Sequence, residues 1–453
     1  MKSKKVALIN LGCPKNLVDA EEILGRVAGA GSTICQHPED AEVLIINTCG
    51  FIDDSKKESI DTIFKMAKLK KDARCKKIIV TGCLAQRYPQ ELQKEIPEID
   101  HVVGLKDFEK LTDLSGSDHK KKLASPAQCS DDWRNRIRLT PKHYAYLRIS
   151  DGCDNRCTYC AIPGIRGRFH SRTIENILEE AHQMACEGVK EINVISQDTT
   201  SYGVDLYGKQ QLHLLLEKLS GVEGVKWIRT LYTHPRHFYP ELIHVIGRYD
   251  NICKYIDLPI QHCNDAILKE MGRGVTRARI ESLISDLRNH IPQLFLRTSV
   301  IVGFPGETME QFTELLEFVK SIQFERLGVF TYSKEEGTPA ASLKKQVPRE
   351  IKEHRLKEIM LAQQKIILKK HEKLVGTTIS AMVDEKSEKK GQWFGRTYGD
   401  APEVDSKVVI QENHLEFGDI TNMMITGTAG YDLLGTPIRL PQRHKGTKGQ
   451  KKI

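Results

Sequence analysis

The sequence has no run of about 18 apolar residues, the length a helix needs to cross a bilayer, so no membrane-spanning helix is expected. It opens Met1-Lys2-Ser3-Lys4-Lys5-Val6 and runs directly into a strand-like segment, with no apolar stretch or cleavage site of a secretory leader. Strong charge bias is also missing. The net +8 on 453 residues is too mild to imply a nucleic-acid partner by itself. With 40% hydrophobic residues and a mean hydropathy of −0.40, a globular, cytoplasmic protein is expected. In that reducing compartment twelve cysteines make a poor disulfide set, and metal or redox chemistry is the better expectation. At roughly 150 residues per domain, the length predicts about three domains.

The pattern divides the chain accordingly. Short runs rich in Val, Ile and Leu at 6–11, 43–47 and 78–81 read as buried parallel strands, with helical patterns at 19–28 and 55–68 between them. Residues 1–114 are therefore expected to form an open α/β domain on a parallel sheet. The polar stretch 115–141, with Gly116, Pro126 and Lys120-Lys121-Lys122, reads as a linker. Alternation restarts at 142 with six strand candidates, 144–149, 191–196, 225–232, 255–258, 295–302 and 327–331, separated by helical patterns such as 174–187 and 279–290. Six β/α units predict a partial (β/α)6 barrel over 142–373, short of the full eight. Its last helix, 349–373, places Leu356, Ile359, Met360 and Ile367 on one face. Residues 374–440 are rich in Gly, Thr and Val, with short alternating runs and the turn Tyr398-Gly399-Asp400, as in a small β-barrel. Ten acids and six bases leave that segment at −4. Residues 441–453 carry Arg443, Lys445, Lys448, Lys451 and Lys452 without an acid and read as a basic tail.

Two groups of cysteines stand out. In Cys153-Asp154-Asn155-Arg156-Cys157-Thr158-Tyr159-Cys160, three thiols lie within eight residues, just after the first strand of the central domain. Strand ends are where parallel barrels build their sites, and such spacing lets one loop wrap a metal centre. Three thiolates are one short of the four usual for a [4Fe–4S] cluster, leaving one iron open to a ligand. A structural zinc site is the rival and would need a fourth ligand. Cys13, Cys49 and Cys83 each follow a predicted strand, at separations of 36 and 34 residues, about one βαβ unit each. In an open parallel sheet the carboxyl ends of the strands share one edge, so these three can converge, with Gly12 and Gly82 letting the backbone turn closely around a ligand. Cys35, Cys75, Cys129, Cys186, Cys253 and Cys263 have no ligand-like spacing and read as structural.

Cys-x3-Cys-x2-Cys with an aromatic, Tyr159, before the last Cys resembles the radical S-adenosylmethionine superfamily. The resemblance implies a [4Fe–4S] cluster on Cys153, Cys157 and Cys160. Its open iron would bind the amino and carboxylate groups of S-adenosylmethionine, whose reductive cleavage gives methionine and a 5′-deoxyadenosyl radical. Gly12-Cys13-Pro14-Lys15-Asn16, Asn47-Thr48-Cys49-Gly50-Phe51 and Gly82-Cys83-Leu84-Ala85-Gln86-Arg87 resemble the amino-terminal domain of the methylthiotransferases. This implies a second [4Fe–4S] cluster on Cys13, Cys49 and Cys83, which binds or supplies the inserted sulfur. Residues 374–440 look like a TRAM domain, the small β-barrel that recognises substrate in these enzymes. Within Ser196-Gln197-Asp198-Thr199-Thr200-Ser201-Tyr202-Gly203, Gln197 and Asp198 are, with Tyr159, candidate cofactor contacts; a capping role for Asp198 is the alternative. His262, in Leu258-Pro259-Ile260-Gln261-His262, is a candidate substrate contact or a satisfied loop histidine. Val302-Gly303-Phe304-Pro305-Gly306-Glu307 resembles a cofactor-adjacent segment of the superfamily.

The methylthiotransferases divide by substrate. Some modify an adenosine beside the anticodon of transfer RNA, and one branch modifies an aspartate of small-subunit ribosomal protein twelve at its β-carbon. The segment Gly12-Cys13-Pro14-Lys15-Asn16 is similar to the second branch, the first usually having Gln-Met-Asn after the cysteine; 152–163 and 395–405 are similar to it too. Charge points the same way. A domain that grips RNA should be positive, because phosphate contacts dominate affinity, whereas an acidic barrel suits a basic ribosomal protein. The implied activity is methylthiolation of that aspartate. One S-adenosylmethionine gives the methyl group and another the radical, needed because the C–H bond is not acidic enough for base catalysis. The implied partners are the ribosomal protein, an electron donor such as flavodoxin or ferredoxin, and a sulfur source. Two alternatives stand beside it: a transfer-RNA adenosine methylthiotransferase, and a non-catalytic iron–sulfur or zinc module that attaches to RNA or ribosomes.

Overall fold

In the amino-terminal part, the runs of Val, Ile and Leu become a fully parallel sheet. The structure, a computed structural model, describes residues 3–72, 74–115, 133–412 and 414–438. Residues 116–132 of the expected 115–141 linker, Cys129 among them, and the expected basic tail lie outside the described residues; Trp133–Asn135 of that linker form a short 3-10 turn with Trp133 buried. The chain divides into two units, Met1–Ile366 and Ile367–Ile453.

In the first unit, β1 (Lys5–Asn10), β2 (Thr33–Ile34), β3 (Val43–Thr48), β4 (Lys77–Gly82) and β5 (His101–Val102) lie in the order β2-β1-β3-β4-β5, every pairing parallel. Central β3 is buried along its whole length, as a strand covered on both faces must be. Its side chains alternate between two cores. Leu44 and Ile46 pack with Ile63 and Met66 of helix α2 (Asp53–Ala67), and Val43 and Ile45 with Ile23 and Val27 of helix α1 (Pro14–Gly29). Register then decides the edge. Asn10 lies opposite Asn47, Asn47 opposite Thr81, and Thr48 opposite Gly82, so β1, β3 and β4 finish level. Whatever follows each strand is delivered to one place.

The second sheet of this unit begins at β6 (Tyr144–Arg148). A two-residue antiparallel pair follows, β7 (Ser150–Asp151) and β8 (His170–Ser171). Then come β9 (Glu191–Ile195), β10 (Trp227–Thr230), β11 (Ile252–Asp257), β12 (Phe295–Val302) and β13 (Arg326–Thr331). With β6 they form a six-stranded sheet in chain order, all parallel, with β6 and β13 as its outermost strands. This is the partial (β/α)6 barrel expected from the strand count. Ile192, Val194, Ile228, Ile256 and Leu296 pack against helical Ile177, Leu215, Leu242, Leu283 and Phe312. The alternate positions carry Tyr146, Glu191, Asn193, Arg229 and Tyr255, all buried. There Arg229 Nε donates to Glu191 Oε1 at 2.9 Å and its guanidinium lies 4.7 Å from the Tyr255 ring centre. The helix Arg349–Leu374 buries Arg355, Ile359 and Gln363 at i, i+4 spacing; Leu356 and Met360 are half-buried beside them.

The second unit contains a closed five-stranded barrel, β14 (Thr378–Lys386), β15 (Gln392–Thr397), β16 (Val408–Gln411), β17 (Ile420–Ala429) and β18 (Asp432–Pro437), in the order β14-β15-β16-β18-β17. Pairing of β14 with β17 closes it and removes both sheet edges. Ile379, Ala381, Val383, Val408, Ile410, Met423, Ile425 and Leu433 fill it. Among the described residues no helix is long and apolar enough to cross a membrane.

Candidate functional site

Cys13, Cys49 and Cys83 arrive at the shared edge of the first sheet by three different routes. Cys13 is the residue before α1, with Pro14 in the first turn; Cys49 follows β3; Cys83 follows β4 and opens the short helix Cys83–Arg87. Two glycines allow the approach. Both Gly12 and Gly82 have φ of +93°. A Cβ on Gly12 would lie 2.8 Å from Cys49 Cβ, and one on Gly82 would meet Asn47 Oδ1 at 2.5 Å and the Thr48 carbonyl closer still. Asn16 ties the edge together. Its Nδ2 donates to Leu11 O and Thr48 O, both at 3.0 Å, and its Oδ1 lies 3.2 Å from Cys83 Sγ. Cys83 feels the charge of both Cys13 and Cys49. Burial pushes Cys83 up to about 12, against the pull of Arg166.

Cys153, Cys157 and Cys160 lie on the loop after β7, half-exposed. That loop is pinned from outside. Thr158 N donates to Met271 O at 3.0 Å, Thr158 Oγ1 to Glu270 O at 2.7 Å, and Ala340 N to Thr158 O at 2.9 Å. Tyr159 packs against Ile267, Met271, Phe304, Tyr332 and Ala340. Thus the Gly303-Phe304-Pro305-Gly306 segment adjoins the cysteine loop through Phe304. Arg273 donates from Nη1 to Cys157 Sγ at 3.5 Å and from Nη2 to Pro259 O at 2.5 Å. Burial pushes Cys153 up to about 11 and Cys160 up to about 12.

Asp198 receives four donors. Thr200 Oγ1 reaches Oδ1 at 2.5 Å, and Asn155 Nδ2, Ser201 Oγ and His237 Nδ1 reach Oδ2 at 2.8, 2.8 and 2.7 Å. Burial works against its charge, but the His237 hydrogen bond and the charges of His237 and His234 reverse this and hold the carboxyl well below its usual range. It therefore anchors Asn155 of the cysteine loop. Gln197 differs: Nε2 and Oε1 are both buried and have no partner in hydrogen-bond geometry among the described residues, although the amide is near enough to Asp151 to favour its ionised form. His262 is the satisfied loop histidine of the two possibilities. It is fully buried, with Nδ1 accepting from Asn264 N at 2.9 Å and Nε2 3.3 Å from Glu307 Oε1. Cys75, Cys253 and Cys263 are buried in the cores, and Cys186 is exposed on a helix.

One buried charge network separates the two cysteine groups. Arg166, six residues beyond Cys160, donates from Nη2 to Asp19 Oδ2 at 2.6 Å and Asn16 Oδ1 at 2.9 Å, and lies 3.7 Å from Cys83 Sγ. Its Nη1 meets Asp151 Oδ2 at 3.2 Å. Arg148 pairs with Asp19 and, at 2.6 Å, with Glu22 Oε1. Lys15 crosses the same boundary, its Nζ 3.2 Å from the Tyr232 ring centre. Tyr232, two residues past β10, has a φ of +60°, and Gln261, past β11, a φ of +70°; such strain gathers at barrel mouths that carry sites. Among the described residues no three His, Cys, Asp or Glu side chains gather as a single ion requires. Two three-thiol groups, each with no fourth protein ligand among the described residues, suit clusters that keep an iron open.

Residues 5–104 match the uncharacterized protein family UPF0004, 147–319 the radical SAM superfamily and 375–438 the TRAM domain. The ribosomal protein uS12 methylthiotransferase RimO of Desulfitobacterium hafniense is 44% identical over 443 residues, covering 96% of this chain and 99% of its own length. That of Pelotomaculum thermopropionicum is 46% identical, with 96% and 99% covered. The chain belongs to the RimO methylthiotransferase family. It is thus a radical S-adenosylmethionine enzyme whose cofactors are S-adenosylmethionine and [4Fe–4S] clusters, and the non-catalytic alternative falls away. Among solved structures, the radical S-adenosylmethionine methyltransferase TsrM from Kitasatospora setae, with cobalamin and a [4Fe-4S] cluster bound, gives a TM-score of 0.56 at 12% identity, covering 87% of this chain and 77% of that one. At that identity the likeness is one of fold. Sequence reasoning missed Arg166, Arg273, Asn155 and His237 in this RimO-family site. Only the setting of Arg166 between Gly164 and Gly167, just past the cysteine loop, hinted at a buried charge.

Proposed function

We propose that this enzyme methylthiolates the β-carbon of an aspartate in ribosomal protein uS12. Cys153, Cys157 and Cys160 hold one [4Fe–4S] cluster, and Cys13, Cys49 and Cys83 the other. The observation that carries this reading is the convergence of three cysteines, 36 and 34 residues apart, on a sheet edge that shares one buried network with the contiguous loop. Bound S-adenosylmethionine supplies a 5′-deoxyadenosyl radical on the loop side, and the sheet-edge cluster supplies the sulfur side of the reaction.

The chain's own residues set the stage. Tyr159 fixes the loop through its apolar packing, Asp198 holds Asn155 and His237, and Gln197 offers a buried amide still lacking partners to the cofactor. Arg273 keeps a positive charge 3.5 Å from Cys157 Sγ. The barrel within 374–440, with ten acids to six bases, takes the basic protein substrate. Ribosomal substrate and exposed thiol chemistry both suit a cytoplasmic setting, with a flavodoxin- or ferredoxin-type electron donor and a separate sulfur source.

The test digests uS12 and bulk transfer RNA from cells with and without the gene and looks for methylthio groups by mass spectrometry. A methylthio-aspartate that tracks the gene is expected. Methylthio-adenosine that tracks it, with the aspartate unmodified in both strains, overturns the substrate.

A further inference from the structure

Among the described residues, several charges at the barrel mouth are paired. Arg166 and Arg148 meet Asp19, Glu22 and Asp151, and Arg297 Nη1 meets Asp257 Oδ1 at 2.9 Å. Asp257 is complete, its Oδ2 accepting from Tyr232 N at 2.9 Å. Lys15 is different. It is 8% exposed, and its Nζ lies over the face of Tyr232 at 3.2 Å, yet among the described residues nothing accepts a hydrogen bond from it. An ammonium carries three donors, and an aromatic face satisfies none of them with an acceptor oxygen. Lys15 lies between Cys13, two residues before it in sequence, and the strained Tyr232, two residues past β10.

We propose that Lys15 is the residue that takes the carboxylate of the substrate side chain. The inference rests on the aspartate reading and names the residue that selects for it. In an aspartate side chain the β-carbon is bonded directly to the carboxylate carbon. A cation beside Cys13 that grips the carboxylate therefore brings the β-carbon next to the cysteines of the sulfur-donating side, with its hydrogens turned toward the barrel. Tyr232 holds the ammonium by its ring face, which leaves the three N–H donors to an acceptor such as a carboxylate. A neutral group of similar shape, such as a carboxamide, would leave the ammonium without its counter-charge.

The test is a double-mutant cycle on the reconstituted full-length enzyme without reductant, so that nothing turns over. Binding of uS12 and of uS12 carrying Asn at the modified aspartate is measured for the wild type, Lys15→Met and Lys15→Arg; Met keeps the length of the side chain and removes the charge. For the wild type the Asp form binds about 10- to 100-fold tighter than the Asn form, the range expected of a hydrogen-bonded charge pair. For Lys15→Met the preference collapses to within about twofold, and Lys15→Arg restores part of it. Iron content and thermal unfolding of each variant report on folding. If Lys15→Met binds both forms more weakly by the same factor, or keeps the preference for Asp, the assignment of Lys15 is overturned. A reduced wild-type enzyme that leaves uS12 unmodified overturns the substrate reading instead.

Discussion

The two cysteine groups reach similar ends by opposite means. Cys153, Cys157 and Cys160 share one loop of eight residues, so closing them around a cluster would cost little chain entropy, and pins such as Thr158 to Met271 O hold the loop in place. Cys13, Cys49 and Cys83 meet only if two crossovers fold and β1, β3 and β4 finish level. A contiguous site is written in spacing, whereas a dispersed one is written in topology. The second is therefore the more exposed to distant damage.

The sharpest test separates their roles. Replacing Cys153, Cys157 and Cys160 together by Ala should remove about four of about eight irons and abolish 5′-deoxyadenosine formation. Replacing Cys13, Cys49 and Cys83 should remove the other four yet leave some uncoupled cleavage. If the first variant still makes 5′-deoxyadenosine, the division of labour is wrong.

Arg166 comes next, because it touches both sides of the boundary. Arg166→Ala leaves Asp151 without its nearest cation and Asp19 with Arg148 alone, in a place where removing one partner of a buried pair costs about 3–5 kcal/mol. Denaturant unfolding should show a loss of that order. Iron should fall first at the dispersed group, since Arg166 also holds Asn16 and lies against Cys83. Equal loss from both groups would mean that the contiguous loop is no more self-sufficient than the sheet edge.

The same contrast explains what could be read from the sequence. The central strands declared themselves by composition: the run expected at 295–302 is β12, and that at 43–47 is β3 less its last residue. Two-residue β2 and β5 are too short to show any period. The strand expected at 225–232 stops at Thr230, because Leu231 and Tyr232 continue the apolar pattern while the backbone turns to positive φ. Helix α1 begins at Pro14, earlier than the expected 19, since Cys13 replaces the usual Ser, Thr or Asp cap. Both cysteine groups were legible as groups. The network between them was not, because Asp19 and Glu22 carry the periodicity of a solvated helix face and only the fold supplies Arg148 and Arg166 to cover them.

A smaller effect comes from one glycine beside each group. A Cβ on Gly82 would overlap the Thr48 carbonyl, and one on Gly272, with φ +66°, would overlap the carbonyl of Arg156 in the cysteine loop. Each Gly→Ala change should cost about 1–3 kcal/mol locally. Gly82→Ala should lower iron at the sheet edge and spare 5′-deoxyadenosine formation; Gly272→Ala should do the reverse. Spectra that show both clusters weakened by either change would merge the two groups into one cooperative unit.

The smallest effect should leave both groups untouched. In the second unit Glu403 has a φ of +68° and Asp405 Oδ2 accepts from Ala401 N at 2.9 Å, so changing either disturbs a turn as well as a charge. Glu388 and Glu416 are exposed, and neither side chain pairs among the described residues, which makes them cleaner probes. Glu388→Lys and Glu416→Lys should each raise the KM for uS12 about two- to threefold in dilute buffer, the scale of a single exposed charge. The difference should vanish near 0.5 M salt, where the screening length falls to about 4 Å. Iron content and uncoupled 5′-deoxyadenosine formation should match the wild type. Because recognition here is long-range and the chemistry is local, a loss of either cluster on reversing these charges would show that the acids support the fold and do not greet a basic substrate. A KM that ignores salt would show that the barrel reads its partner by shape.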